Sequence, residues 1–196
     1  MGVTIHYSGR AKDRASVDRI INIVTNAAYQ WDWPTAHIED PDGEIARTLR
    51  EPGEPVELSA SGITFIDADD LESSGLEIYE GPVSLLVVQP GDGCEPFRLA
   101  FDREHRMDGF TKTQYGPVDA HVRICALLRS VERNFEVLEV HDESGFYDTE
   151  DRNALDERLG QLADTPEAAI ARYEAAKQRK AMEDMYKIDG DDSDNP

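Results

Sequence analysis

The chain has 196 residues, 39% of them hydrophobic, and sets 41 acidic side chains against 20 basic ones, a formal net charge of -21. That length and apolar content suit one packed domain with appendages and exclude a disordered acidic chain. Its apolar runs, such as 83–88, are far too short to cross a bilayer, and no basic patch interleaved with aromatics offers a surface to free nucleic acid.

The first residues, MGVTIHYSGR, lack the apolar segment of a secretion signal, so the sequence reads as cytoplasmic. "VTIHY" (3–7) alternates and is bounded by glycines, which predicts a strand. Asp13 or Ser16 can cap a helix over about 17–30, with Val17, Ile20, Ile21, Val24 and Ala28 at helical spacing. Pro34 ends it, and Trp31 and Trp33 are expected to lid the core. Residues 39–55 are rich in Asp, Glu, Pro and Gly and read as a loop with a helical turn at 45–49.

"VELSASGITFID" (56–67) predicts two short strands. "DADDLESSG" (67–75) fails as a calcium loop, because Glu72 stands where the turn glycine belongs, and reads as a solvated loop. "PVSLLVVQP" predicts a central strand, "GDGCEP" a turn and "FRLAFD" the returning strand of a hairpin. "GFTKTQY" predicts a further strand, with Lys112 and Gln114 on one face and Thr113 and Tyr115 on the other. A helix follows from Pro117 to about Arg133, then a strand at "FEVLEV" with Phe135, Val137 and Val140 inward. A helix over about 150–162, capped by Asp148 or Thr149, precedes the start signal Thr165-Pro166-Glu167 of a last helix reaching about Tyr186. The order predicts an α+β fold: a mainly antiparallel sheet, helices packed on one face and a helical C-terminal extension. Residues 1–162 form the expected domain, 163–187 a C-terminal helix and 188–196 a disordered acidic tail.

The charge admits two readings. Fifteen of the basic residues are Arg and five are Lys, and the acids spread along the whole chain. This fits a solvated surface adapted to high salt, where screening relieves the repulsion. The other reading is a mimic of nucleic acid or a binder of a basic partner; the lack of a dense acidic block favours the first.

Cys94 and Cys125 form no CxxC pair and match no zinc spacing, so both are expected as thiols. Cys125 lies in a helical stripe and reads as a small core side chain, whereas Cys94 sits in a turn that leaves exposure and reactivity open, with acids around it expected to raise its thiol pKa. His121 is flanked by Val118, Val122, Cys125 and Leu128, which favours a hydrogen-bonded core histidine over a ligand. His6 is its candidate companion, although no HxH or HxxxH spacing supports a metal, and no metal or other cofactor is implied. In "HDESGFYDTED", Phe146 and Tyr147 sit between acids, where recognition and packing account for them equally well.

Three patches, "MGVTIHY", "KTQYG" before the His121 helix and "DESGFYDTED", resemble a family of small uncharacterised prokaryotic proteins. The resemblance covers most of 1–160 in outline and leaves out 39–74 and the chain beyond Asp164. It implies a shared fold and a shared surface around Lys112, Gln114, His121 and Tyr147, and no reaction. The candidate ligand-binding residues are therefore His6, Lys112, Gln114, His121 and Tyr147. The preferred expectation is a binding or regulatory module whose C-terminal helix docks a protein partner. The alternatives are a small-ligand binder or enzyme using the KTQY strand and His121 helix, and a nucleic-acid mimic.

Overall fold

The computed structural model describes residues 3–48 and 76–161, with scattered helical positions between 166 and 180. The chain runs β1 (Thr4–Ala11), α1 (Arg14–Gln30), β2 (Thr35–Thr48), β3 (Leu76–Val88), β4 (Phe97–Phe101), β5 (Arg106–Lys112), α2 (Val118–Val131), β6 (Phe135–Asp142), α3 (Phe146–Thr149) and α4 (Arg152–Gly160). The fold is α+β, with two antiparallel sheets, β5-β1-β6 and β2-β3-β4, and helical structure at the C-terminal end. The expected strands over 56–67, the loop over 67–75 and the tail 188–196 lie outside the described residues.

The 3.6-residue period of α1 turns Val17, Ile20, Ile21, Val24 and Ala28 inward, and all five are buried. The helix begins three residues before the expected Val17. Asp13 caps it by accepting the Ser16 N–H at 2.6 Å. Helix α2 contributes Ala120, Ile124, Cys125, Leu127, Leu128 and Val131 to the same core. Both helices pack against one face of the sheets, where Ile5, Tyr7, Leu86, Val88, Phe97 and Leu99 project. Trp33 closes this core beside the half-buried Trp31, 4.9 Å edge to face, with the Arg123 guanidinium over both rings.

Four expectations are corrected. Residues 39–48 are strand, not loop, and there is no helical turn at 45–48, the described part of that stretch. The long β2–β3 hairpin supplies the hydrogen bonds that local propensity would not. Its polar sequence suits a strand at the end of its sheet, where β2 lies among the described residues, and Pro41 and Asp42 are set opposite Pro82 alone in a bulge between Asp40 and Gly43. The "KTQY" strand stops at Lys112, because Gly116 N–H turns back to the Thr113 carbonyl at 2.9 Å. Val137 lies opposite Arg10 and Leu138 opposite Gly9, so the register shift beside Ala11 puts Leu138 and Val140, with Phe135, on the core side. Helix α4 also starts later than expected, at Arg152, capped by Asp151.

One phenol joins the two sheets. Tyr7 opposes Gly109 across β1 and β5, and its ring passes over that glycine; a Cβ there would sit 2.9 Å from the ring. Its hydroxyl donates to the Arg98 carbonyl of β4 at 2.9 Å, accepts the Arg98 N–H at 3.2 Å and meets Thr111 Oγ1 at 3.2 Å. It therefore satisfies backbone groups of β4 on the side that faces β5. The "GDGC" turn docks the start of α2. Gly93 has φ +85°, and a Cβ on it would strike the Tyr115 carbonyl.

Candidate functional site

The site grows from three chain ends meeting under α2. In α2 the inward stripe includes His121 and Cys125, four residues apart and so on one helix face. Strand β5 delivers Thr113, whose N–H bonds the Val3 carbonyl at 3.0 Å as the chain turns away. Strand β6 ends at Asp142, opposite the core residue Ile5. A turn through Ser144 and Gly145, with Gly145 at φ +75°, then starts α3.

His121 is fully buried. Its Nδ1 lies 2.7 Å from Thr113 Oγ1, its Nε2 3.1 Å from Asp142 Oδ2 and 3.2 Å from Ser144 Oγ. Asp142 Oδ1 accepts the Ser144 N–H at 2.8 Å and hydroxyl at 2.7 Å, and Oδ2 accepts the Tyr147 N–H at 2.9 Å. Burial alone would raise the Asp142 pKa, but the hydrogen bond and charge of His121 and the bonds from Ser144 and Tyr147 outweigh it, leaving about 2. An ionised Asp142 only accepts. The network therefore assigns the imidazole proton to Nε2, and Nδ1 accepts from the Thr113 hydroxyl. Phe146 seals the ring edge-on at 5.9 Å.

Chemically this is a brace. The Thr113 hydroxyl is fully buried and reaches no substrate. Ser144 and Asp142 share one imidazole nitrogen, whereas a nucleophile relay sets hydroxyl and carboxylate on opposite nitrogens. The thiol of Cys125 lies nearby, pushed up by burial and by the Asp142 charge. Cys94 is buried rather than exposed, and burial with the neighbouring Asp92 raises its thiol to about 12, so the turn offers no reactive cysteine.

The five residues singled out in the sequence fall in three places. His121 and Tyr147 meet at Asp142; Tyr147 contributes its N–H, while its ring lies under Arg129, 4.9 Å away. Gln114 accepts the Val3 N–H at 3.2 Å and fixes the chain end. His6 and Lys112 stand on the outer face of β1 and β5, away from the core. His6 Nε2 is 3.6 Å from Glu143, and Lys112 is half exposed, 4.0 Å from Glu95. Sequence reasoning missed Thr113, Asp142 and Ser144. The four-residue spacing of His121 and Cys125 was a usable signal; the segment "DESGFYDTED" stood out for its aromatics and not for Asp142 or Ser144.

The outer face holds a second feature. An open groove of about 660 Å³ crosses β3, β4 and β5, floored by Leu85, Val87, Ala100 and the exposed Phe110 and edged by Glu95, Asp108 and Arg98. These residues alternate with the buried Leu86, Val88, Leu99 and Thr111, so the groove lies opposite the helices. No protein-family model, curated protein or solved structure matches the chain, and its geometry alone bears on function.

Proposed function

We propose that the protein is a binding module that takes a basic, apolar-anchored segment of another protein in this outer groove. The observation that carries it is an apolar floor left open on a chain of net charge -21. Phe110 and Ile38 are 43% and 47% exposed on this side, large apolar groups with no covering helix among the described residues. In dilute buffer the charge favours a basic occupant over a second copy, which would carry the same charge; molar salt screens that preference down to contact range. Binding is favoured over catalysis because both ring nitrogens of His121 are already engaged in the core.

The test is fluorescence anisotropy with a synthetic peptide alternating leucine and lysine, against its leucine-glutamate counterpart. The lysine peptide is expected to bind, more weakly as salt rises, and Phe110→Asp to weaken it about tenfold or more. Equal binding of both peptides, or indifference to Phe110→Asp, defeats the reading. The second reading places the partner on the C-terminal helix, where Ile170 and Tyr173 are 62% and 71% exposed and three residues apart. If Ile170→Asp with Tyr173→Asp abolishes binding and Phe110→Asp does not, that helix is the docking element.

We further infer a soluble cytoplasmic setting rich in salt, supported by the dispersed acids and scarce lysine. Screening that relieves about 3 kcal/mol of self-repulsion corresponds to roughly 10 °C in a chain of this size. The melting temperature is therefore expected to rise by about that much between dilute buffer and molar KCl. A flat profile would support the mimic instead, because a mimic from an ordinary cytoplasm needs no salt.

A further inference from the structure

We propose that His121, Cys125 and Asp142 form a site for a divalent transition metal of the zinc class, pinning α2 to the end of β6. One ligand atom from each, an imidazole nitrogen, a thiol sulfur and a carboxylate oxygen, lie within 4.8 Å of one another, and all three residues are buried. The 3.1 Å between Nε2 and Oδ2 is close to the separation of roughly 3.3 Å between two ligands at about 2.0 Å in a tetrahedral zinc site. The ion would need the acid–imidazole pair to open by a few tenths of an ångström and the sulfur, within 4.8 Å of the other two ligand atoms, to close toward about 3.5 Å. Helix α2 already presents His121 and Cys125 on one face.

The donor set selects the metal class. Thiolate with imidazole suits zinc and its neighbours, and a carboxylate completes a borderline set, whereas calcium and magnesium prefer oxygen alone. The surroundings supply the outer contacts that such sites use. Ser144 and Tyr147 N–H groups hold the Asp142 oxygens in place. Thr113 sits on the nitrogen of His121 that the metal would not take. On binding, the imidazole proton moves from Nε2 to Nδ1 and donates to Thr113, whose own proton turns to the Val3 carbonyl, 3.5 Å away. The Cys125 proton leaves to solvent, and the metal accepts three lone pairs. The half-buried Ser144 hydroxyl, 3.2 Å from Nε2 and 2.8 Å from Oδ2, marks the side where a fourth ligand enters.

Charge is compatible with the same occupant. A divalent cation with one thiolate and one carboxylate is neutral overall, which limits the cost of keeping the group out of water.

The test uses the full chain, reduced and freed of metal, titrated with cobalt(II). One equivalent is expected to give sulfur-to-cobalt charge transfer in the near ultraviolet and the visible bands of a tetrahedral ion, both removed by zinc. Cys125→Ser should erase the near-ultraviolet band. Thr113→Val should weaken the affinity by about tenfold or more, and Cys94→Ser or His6→Ala with His141→Ala should leave it unchanged. Absence of the bands in the folded wild-type chain overturns the site and needs no variant to be read. Bands that survive Cys125→Ser, or that vanish with Cys94 or the His6–His141 pair, overturn it as well.

Discussion

Replacing Asp142 with alanine is expected to cost the metal-free protein about 3–5 kcal/mol, read as a lower urea midpoint with an unchanged slope. The substitution leaves the buried Nε2–H of His121 and the part-buried N–H groups of Ser144 and Tyr147 without their acceptor. Removing His121 alone should cost a similar amount, because it strands a buried carboxylate. Replacing both by leucine should cost less than the sum, with a coupling of about 1–3 kcal/mol; additivity would show that the pair does not act as a unit. Acid sensitivity follows from the same group. Folding lowers its pKa from 3.8 to about 2, so the unfolded chain binds more protons between those values. The contribution, about 2 kcal/mol, is complete above pH of about 4 and is lost as pH falls through about 2. The alanine variant should lack that part of the acid profile.

Tyr7→Phe is expected to cost about 2–3 kcal/mol, and Tyr7→Ala about 4–5 kcal/mol. Phenylalanine keeps the ring over Gly109 and its 5.1 Å edge contact with Phe97 but strands the Arg98 N–H and carbonyl. Alanine also empties the space between the sheets. Alkali provides a separate readout. Burial, opposed by the Thr111 and Arg98 contacts, raises the phenol from 10.0 to about 12 in the folded protein. The unfolded chain therefore loses this proton first, and stability falls by roughly 1.4 kcal/mol per pH unit between those values. Tyr7→Phe should remove this slope. An equal alkaline slope in the variant would show that Tyr7 is not the group responsible.

Local pattern carried the parts of the fold whose partners lie within a few residues. Helices α1 and α2 show their inward stripes directly, and the Gly-Asp-Gly turn marks the β3–β4 hairpin. Strand β2 was illegible because "EDPDGE" speaks for a turn, and only the distant β3 turns it into strand. The inward set of β6 was misread at Val137 because a register shift, invisible in the sequence, changes which residue faces the core. At the candidate site, the core position of His121 was legible from its apolar neighbours. Its carboxylate was not, since the sequence holds many equivalent acids and the turn after β6 alone selects Asp142. Lys112 and His6 drew notice by residue type, but alternation along their strands sends both to the outer face.

The composition of β2 has a consequence for how copies of this protein coexist. A strand at the end of a sheet is a template for joining another chain into a growing fibre. Here Asp40, Asp42 and Glu44 would bring like charges together if two such strands met, whereas Glu39 is held by Arg14 at 2.8 Å. That guard is electrostatic and has a range. At molar salt the screening length contracts to about 3 Å, so repulsion no longer acts before contact. What then keeps neighbouring copies apart is steric: Pro41 lacks an N–H to share, and the bulge beside it breaks the regular spacing a second strand would have to match. In a concentrated brine, the resistance of this edge to aggregation would rest on two residues' geometry more than on its charge.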